Sequence, residues 1–305
     1  MSQARERFRA ILSRNACTPV APIFDPLSAR IADMMGWEAC KVAGSVAKAA
    51  NMAVPDSVPV TTMSDLVDVC RRITRAASLP LVVDADDGGA TPVNVFRTVR
   101  DLEAAGVAVI EIEDNMVPLR LDTTTGRHAL MIPKDEQVGK LRAAVAARTD
   151  PTTVIAARTT ALQEQSLEET LDRVRAYSQT GVDAIMLPGG RVPISRADIE
   201  AVHRATSLPI LVTTSPPIAG LSGDIAKDAH IFVANGVKVV YLGVGLSQPP
   251  FAMAVKAIYD ALKHLKDGGS AEAEDIKNRK ATPELMRAVI QTDEYLKWER
   301  EYTPH

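Results

Sequence analysis

Eight short apolar runs, each closed by turn residues and separated from the next by a stretch of helical period, constrain this chain more than any other feature. They are Pro19–Phe24, Ala39–Val42, Leu79–Asp84, Val109–Glu113, Thr153–Ala157, Ala184–Leu187, Ile210–Thr213 and Val237–Leu242. Strands that alternate with helices pair in parallel, because each helix carries the chain back across the sheet. Pro92–Ala105 turns Val93, Phe96, Val99 and Leu102 to one face, and Leu167–Thr180 does the same with Leu171, Val174 and Tyr177. Gly106, Gly181 and Gly236 each follow a helical segment and open a Gly-Val step into the next strand, as expected of glycine just past a helix end. The pattern predicts an α/β protein of the (β/α)8 TIM-type barrel class.

Such a barrel takes about 250 residues, so the 305-residue chain divides into a barrel over 1–265 and a C-terminal helical extension over 266–305. Lys266-Asp267-Gly268-Gly269-Ser270 is a polar break, and Thr282-Pro283-Glu284 opens a helix with a cap and Pro at its first position. Val289, Ile290, Leu296 and Trp298 give the extension an apolar surface that needs a docking partner, its own barrel or a neighbour. Charged residues make up 24% of the chain and the net charge is −3, with no basic stripe, which argues against nucleic acid and membrane surfaces as partners. No run of 18 apolar residues occurs, and Met1-Ser2-Gln3-Ala4-Arg5-Glu6-Arg7 lacks the apolar stretch of a signal peptide, so a cytoplasmic location is expected. Cys17, Cys40 and Cys70 are widely spaced without paired histidines and read as reduced, buried thiols.

Charge collects at the ends of the apolar runs: Asp84 and Asp86 after Val83, Glu113 and Asp114 after Ile112, Arg158 after Ala157. Barrel enzymes place their chemistry at the C-terminal ends of strands. Asp84 and Asp86 stand two apart, so in an extended conformation they share a face. With Glu113 and Asp56 they make an oxygen-rich pocket suited to Mg²⁺, which prefers oxygen ligands and keeps several waters. The same acids could instead cap helices or pair with Arg97 and Arg100. Arg158 presents a planar fork for a carboxylate or phosphate. Ala43-Gly44-Ser45 offers either backbone N–H groups and a hydroxyl for an oxyanion, or a tight turn with Ser45 as a helix cap. His203, His264 and His305 fall on helices or at the terminus, His230 precedes an apolar helical segment, and His128 alone lies in a strand-end loop. A histidine general base is therefore not expected.

Together these motifs resemble the isocitrate lyase and phosphoenolpyruvate mutase superfamily, over about residues 5 to 265. The resemblance rests on Phe24-Asp25-Pro26-Leu27-Ser28-Ala29-Arg30, Ala43-Gly44-Ser45, Pro55-Asp56, Val83-Asp84-Ala85-Asp86, Asn94-Val95-Phe96-Arg97-Thr98-Val99, Ile112-Glu113-Asp114 and Ala157-Arg158-Thr159. It implies a (β/α)8 barrel binding Mg²⁺ and a 2-oxo carboxylate, in a homotetramer whose C-terminal helices are exchanged between subunits. Asp84 then resembles the direct metal ligand, and Asp56, Asp86 and Glu113 resemble the acids that hold metal-bound water. Gly44, Ser45 and Arg158 resemble the contacts to the substrate carboxylate. Mg²⁺ would polarise the 2-oxo group as a Lewis acid while a carbon–carbon bond breaks.

The departures narrow the reaction. Lyase members carry a Lys-Lys-Cys-Gly-His or similar segment after the Glu-Asp pair, whereas residues 115–127 here contain no Cys. That argues against isocitrate, methylisocitrate and dimethylmalate cleavage. Together with Val138-Gly139-Lys140-Leu141-Arg142-Ala143-Ala144, the segment looks most like the oxaloacetate decarboxylase branch, where an electron sink suffices. The family's Gly-Tyr-Gly-Asn segment is replaced by Asp87-Gly88-Gly89-Ala90-Thr91, so an aromatic residue is lost and Asp87 is expected to add negative charge near the metal. Thr214 and Gln248 stand where decarboxylases carry a Tyr and a His, which makes them the expected substrate contacts, with Arg158, Asp56 and Gln248 as the expected catalytic set. Two other readings are a phosphonopyruvate hydrolase or mutase using Arg120, Arg127 and Lys134, and a non-catalytic carboxylate-binding homologue. Residues 115–134, with Thr123-Thr124-Thr125-Gly126 at the tip, are expected to close over substrate.

Overall fold

The computed structural model describes residues 2–56, 60–116, 121–122, 128–243 and 245–303. Eight parallel strands close into one barrel: β1 Thr18–Ile23, β2 Cys40–Val42, β3 Leu81–Asp84, β4 Val109–Glu113, β5 Val154–Arg158, β6 Ala184–Leu187, β7 Ile210–Thr213 and β8 Val237–Tyr241. Closure is between the first and last strands, with Thr18 opposite Val239, while Ala21 on the other side of β1 pairs with Cys40. A short antiparallel pair, Leu121–Asp122 with His128–Ala129, lies in the excursion after β4.

The strands are apolar on both faces because each face is covered. Outside, residues such as Val83, Ile110, Ile155, Ile185 and Val212 pack under the surrounding helices. Inside, Val20, Ala39, Val82, Val109, Ala156, Ala184, Leu211 and Val239 fill the lumen together with Phe8, Ile11 and Leu12. Those last three come from α1 (Ser2–Ser13), which closes the N-terminal end of the barrel. Its arginines clamp it there: Arg5 Nε donates to Val107 O at 2.9 Å, and Arg9 Nη1 lies 2.6 Å from Asp183 Oδ1. The opposite, C-terminal mouth stays open.

The helices on the barrel's flank begin and end where local chemistry directs. Asp25, Thr62, Ser166 and Ser195 each form a reciprocal capping box with the residue three positions on. Gly106, Gly181 and Gly236 sit at φ 87°, 90° and 69°, the left-handed conformation that ends a helix and costs any side chain with a Cβ.

The helix after β8, Pro249–Lys266, departs from this arrangement, since none of its residues is buried. Met253 is 70% exposed, Tyr259 64% and Leu262 63%. Beyond it, Pro283–Val289 packs on α2 (Pro26–Met34) and buries Val289, while Ile290, Leu296 and Trp298 remain half exposed. The uncovered apolar surface thus begins at Pro249, ahead of the polar break at 266–270. No described helix is long and apolar enough to cross a membrane. Cys40 and Cys70 are buried free thiols, and Cys17 is partly buried.

Candidate active site

A cleft of about 520 Å³ opens at the C-terminal mouth, and the strand-end charges line it. Parallel register brings them together: Asp84 ends β3 opposite Glu111, and Glu113 ends β4 opposite Arg158 at the end of β5. The Arg158 guanidinium grips both neighbours, Asp84 Oδ2 through Nη1 and Glu113 Oε2 at 3.0 Å through Nη2. Its Nε and Asp84 Oδ1 are buried without a hydrogen-bond partner. An unspent donor and an unspent acceptor therefore remain after the fork is made.

Asp86 reaches the cleft by a different route from the one its spacing implied. It lies past the end of β3 at φ 48°, so a left-handed turn, and not an extended strand, puts it beside Asp84. Asp86 Oδ2 accepts from Lys48 Nζ at 2.9 Å, and the same ammonium reaches Asp56 Oδ1 at 2.8 Å. Lys48 is on α3 (Gly44–Met52), a helix capped by Ala43 without a side-chain bond. Ser45 is therefore not the helix cap, and it lines the cleft. Gly44 backs the cluster: a Cβ there would lie 2.9 Å from Asp86 Oδ1.

The electrostatics separate the acids. Burial acts to raise the Asp84 carboxyl, but Arg158, Lys41 and Lys48 outweigh it and hold Asp84 below the usual carboxylate range. Burial pushes Glu113 up to about 8 against the pull of Arg158, with Asp84 and Asp86 adding to the rise. Asp86 is pushed up to about 6 by burial and by Asp84, partly offset by Lys48. Among the described residues no three His, Cys, Asp or Glu side chains converge closely enough to hold a metal directly. An arrangement with one direct carboxylate and others acting through water remains compatible with this spacing.

Several residues stand in other surroundings than expected. Asp87 adds no free charge to the cleft: its Oδ2 is 3.0 Å from the buried Lys140 Nζ, and its Oδ1 accepts from Gly89 N at 2.9 Å. The Asp87-Gly88-Gly89 turn is thus a packed structural corner, in which a Cβ on Gly89 would lie 2.6 Å from that of Asn94. Thr214 does not line the cleft, and Gln248 lines a small hollow beside it together with the cleft residues Lys41, Ala43 and Gly243. Thr214 Oγ1 donates to Tyr241 O at 3.1 Å and faces a separate hollow with Ile218 and Phe232. Gln248 is 2% exposed and directs Nε2 towards Ile23 O. Strand alternation sends Thr213 into the cleft instead, one residue earlier than expected. Arg97 pairs with Asp101 on its own helix and not with the strand-end acids.

The cleft also contains residues not singled out from sequence: Lys41, Asn115, Thr213, and an apolar wall that includes Met186, Pro188 and Leu246. Lys41 and Glu111 carried a legible signal, since each is a charge inside an apolar strand. They pair at 2.6 Å. Lys134 pairs with Asp172 at 2.6 Å. Arg120, Arg127, the 123–126 tip and the side chain of His128 lie outside the described residues. Both ends of the 115–134 segment are tied to the buried Asp114, which accepts from Tyr177 OH at 2.9 Å and whose carbonyl accepts from Ile132 N at 2.9 Å. Arg173 lies 3.3 Å from Asp114 and also donates to Ile132 O.

The model of the phosphoenolpyruvate phosphomutase family matches residues 8–265, which is the barrel together with all the strand-end charges. The chain belongs to that family. An oxaloacetate decarboxylase of Rhodopseudomonas palustris (strain BisB18) is 37% identical over 294 residues, 96% of this chain and 91% of the relative. Among solved structures, an oxaloacetate acetylhydrolase in complex with 3,3-difluorooxalacetate superposes with a TM-score of 0.80 at 25% identity, covering 99% of this chain and 98% of the other. A phosphonopyruvate hydrolase complex with oxalate and Mg²⁺ gives 0.80 at 26%, covering 98% and 99%. Phosphoenolpyruvate phosphomutase family membership accounts for the closed barrel and for the cleft at its C-terminal mouth.

Proposed function

We propose that the chain is a Mg²⁺-dependent carboxy-lyase that converts oxaloacetate to pyruvate and CO2. The observation that carries this reading is the buried, unpartnered Asp84 Oδ1 beside the Arg158 fork. The donor set fits Mg²⁺, because every candidate ligand is a hard carboxylate oxygen and one is left open. Asp84 would hold the ion directly, with Asp56, Asp86 and Glu113 holding its waters. When bound, the ion supplies a Lewis acid for the 2-oxo oxygen of the substrate.

The chain's own residues supply the rest. Arg158, fixed by Asp84 and Glu113, keeps Nε free to donate to the carboxylate next to the 2-oxo group. Ser45 and the first-turn amides of α3 offer further donors to that anion. The departing carboxylate would face Met186, Pro188 and Leu246, which solvate a localised charge poorly. Losing that charge as neutral CO2 is favoured in such surroundings. A phosphonate would call for cations, yet among the described residues of the cleft and its border Lys41, Lys48 and Arg158 are each matched by carboxylates. That supports decarboxylation over phosphorus–carbon chemistry.

We further read the active form as a homotetramer in which the segment from Pro249 is exchanged between subunits. The exposed apolar face of Pro249–Lys266 supports it.

Pyruvate and CO2 formation from oxaloacetate at fixed Mg²⁺, corrected for the metal's own background, tests the reaction. Activity that disappears in Asp84→Ala is expected. An intact protein no faster than free Mg²⁺ would overturn the reading.

A further inference from the structure

Decarboxylation leaves an enolate that must take a proton at C3, and the cleft has few groups able to give one. Among the described lining residues there is no histidine, cysteine or tyrosine. Asp56, Asp84, Asp86 and Glu113 surround the cation position, and Arg158 is effectively a permanent cation. Outside that acid group, and apart from the weakly acidic hydroxyls of Ser45, Thr213 and Ser247, Lys41 is the lining side chain with a transferable proton.

Its surroundings are built. Lys41 Nζ lies 2.6 Å from Glu111 Oε2 and 3.9 Å from the centroid of the Tyr241 ring. Glu111 is fully buried, and its second oxygen has no hydrogen-bond partner. A fixed buried carboxylate and a ring hold the ammonium in the lumen wall at the edge of the cleft, where a surface lysine would roam.

We propose that Lys41 is the proton donor to C3 of the enolate, an inference that rests on the decarboxylase reading. When the C3–C4 bond breaks, CO2 leaves and the bonding pair becomes the C2–C3 π bond, the carbonyl pair moving onto oxygen. The oxygen pair then re-forms C2=O, and the C2–C3 π pair takes H⁺ from Lys41 Nζ. The N–H pair stays on nitrogen, and the neutral amine regains H⁺ from water in the cleft. The sum is oxaloacetate²⁻ + H⁺ → pyruvate⁻ + CO2.

The reverse of the last step exchanges pyruvate methyl hydrogens with solvent, which NMR in D2O with Mg²⁺ reads directly. Lys41→Met alone would strand Glu111, so two variants are used. Lys41→Arg keeps the charge and the pairing, and Lys41→Met/Glu111→Leu removes both charges together. Stabilisation by Mg²⁺ and oxalate in a thermal shift reports an intact site. The wild-type protein is expected to exchange, and both variants to exchange at least about 100-fold more slowly with the oxalate shift retained. A smaller fall overturns the role of Lys41, as does loss of the oxalate shift in both variants, which would make it a structural prop. Oxaloacetate turnover by the wild-type protein is scored separately: none overturns the decarboxylase reading, whereas turnover without methyl exchange overturns the role of Lys41 alone.

Discussion

Lys140 Nζ and Asp87 Oδ2 form a buried ion pair at 3.0 Å that ties the turn after β3 to the helix Lys134–Ala147. The pair sits behind Asp84 and Asp86 in the chain, so it fixes the corner from which both acids project. Lys140→Met leaves Asp87 buried without its partner and should cost about 3–5 kcal/mol. Urea unfolding would read that loss, and Lys140→Met/Asp87→Leu should recover most of it.

Arg158 holds two carboxylates with a planar fork that lysine cannot copy. Arg158→Lys should therefore lower oxaloacetate turnover by about 100-fold or more, with the fold intact by circular dichroism. Turnover within a few-fold of the wild-type protein would remove Arg158 from the catalytic set.

Gly44 tests the acid cluster from behind, since a Cβ there would lie 2.9 Å from Asp86 Oδ1. Gly44→Ala should displace that carboxylate and raise the Mg²⁺ concentration needed for half-maximal activity, with little change in melting temperature. An unchanged Mg²⁺ dependence would show that Asp86 does not serve the metal.

Acid stability should depend on the floor of the barrel. Hydrogen bonds from Thr152, then Arg5, lower the Asp150 carboxyl from 3.8 to about 2. Its contribution is present above about pH 4 and lost as pH falls through about 2, because the folded state holds the charged form more tightly than the unfolded chain does. Unfolding curves of the wild-type protein and Asp150→Asn should differ at pH 6 and converge towards pH 2. A constant gap across that range would mean that Asp150 does not titrate with folding.

The exposed face of Pro249–Lys266 predicts a concentration-independent oligomer that charge can break. Met253→Glu/Leu262→Glu should shift the mass by light scattering towards the monomer. Retention of the full assembly would place the subunit contact elsewhere.

Much of this architecture was legible because its signals are local. The eight apolar runs matched the strands to within about two residues, the usual uncertainty of a boundary. Gly106, Gly181 and Gly236 marked helix ends through a backbone requirement that needs no tertiary context. What escaped depended on direction. Asp84 and Asp86 line one cleft, but the left-handed turn that brings Asp86 there is invisible to a period-two argument. Asp87 read as a free charge because Lys140, its partner, is 53 residues away. Thr214 was placed one position past Thr213, and a single step along a strand reverses the face. Lys41 and Glu111 were in plain view as charges within apolar strands, yet only the closed barrel shows that they meet.

The plug formed by α1 has a kinetic consequence. With Phe8, Ile11 and Leu12 filling the lower end of the lumen, the described residues leave the cleft open at the C-terminal mouth and closed at the other end. On the proposed reading, oxaloacetate would enter and pyruvate would leave through that same mouth. Pyruvate held there would obstruct the next oxaloacetate.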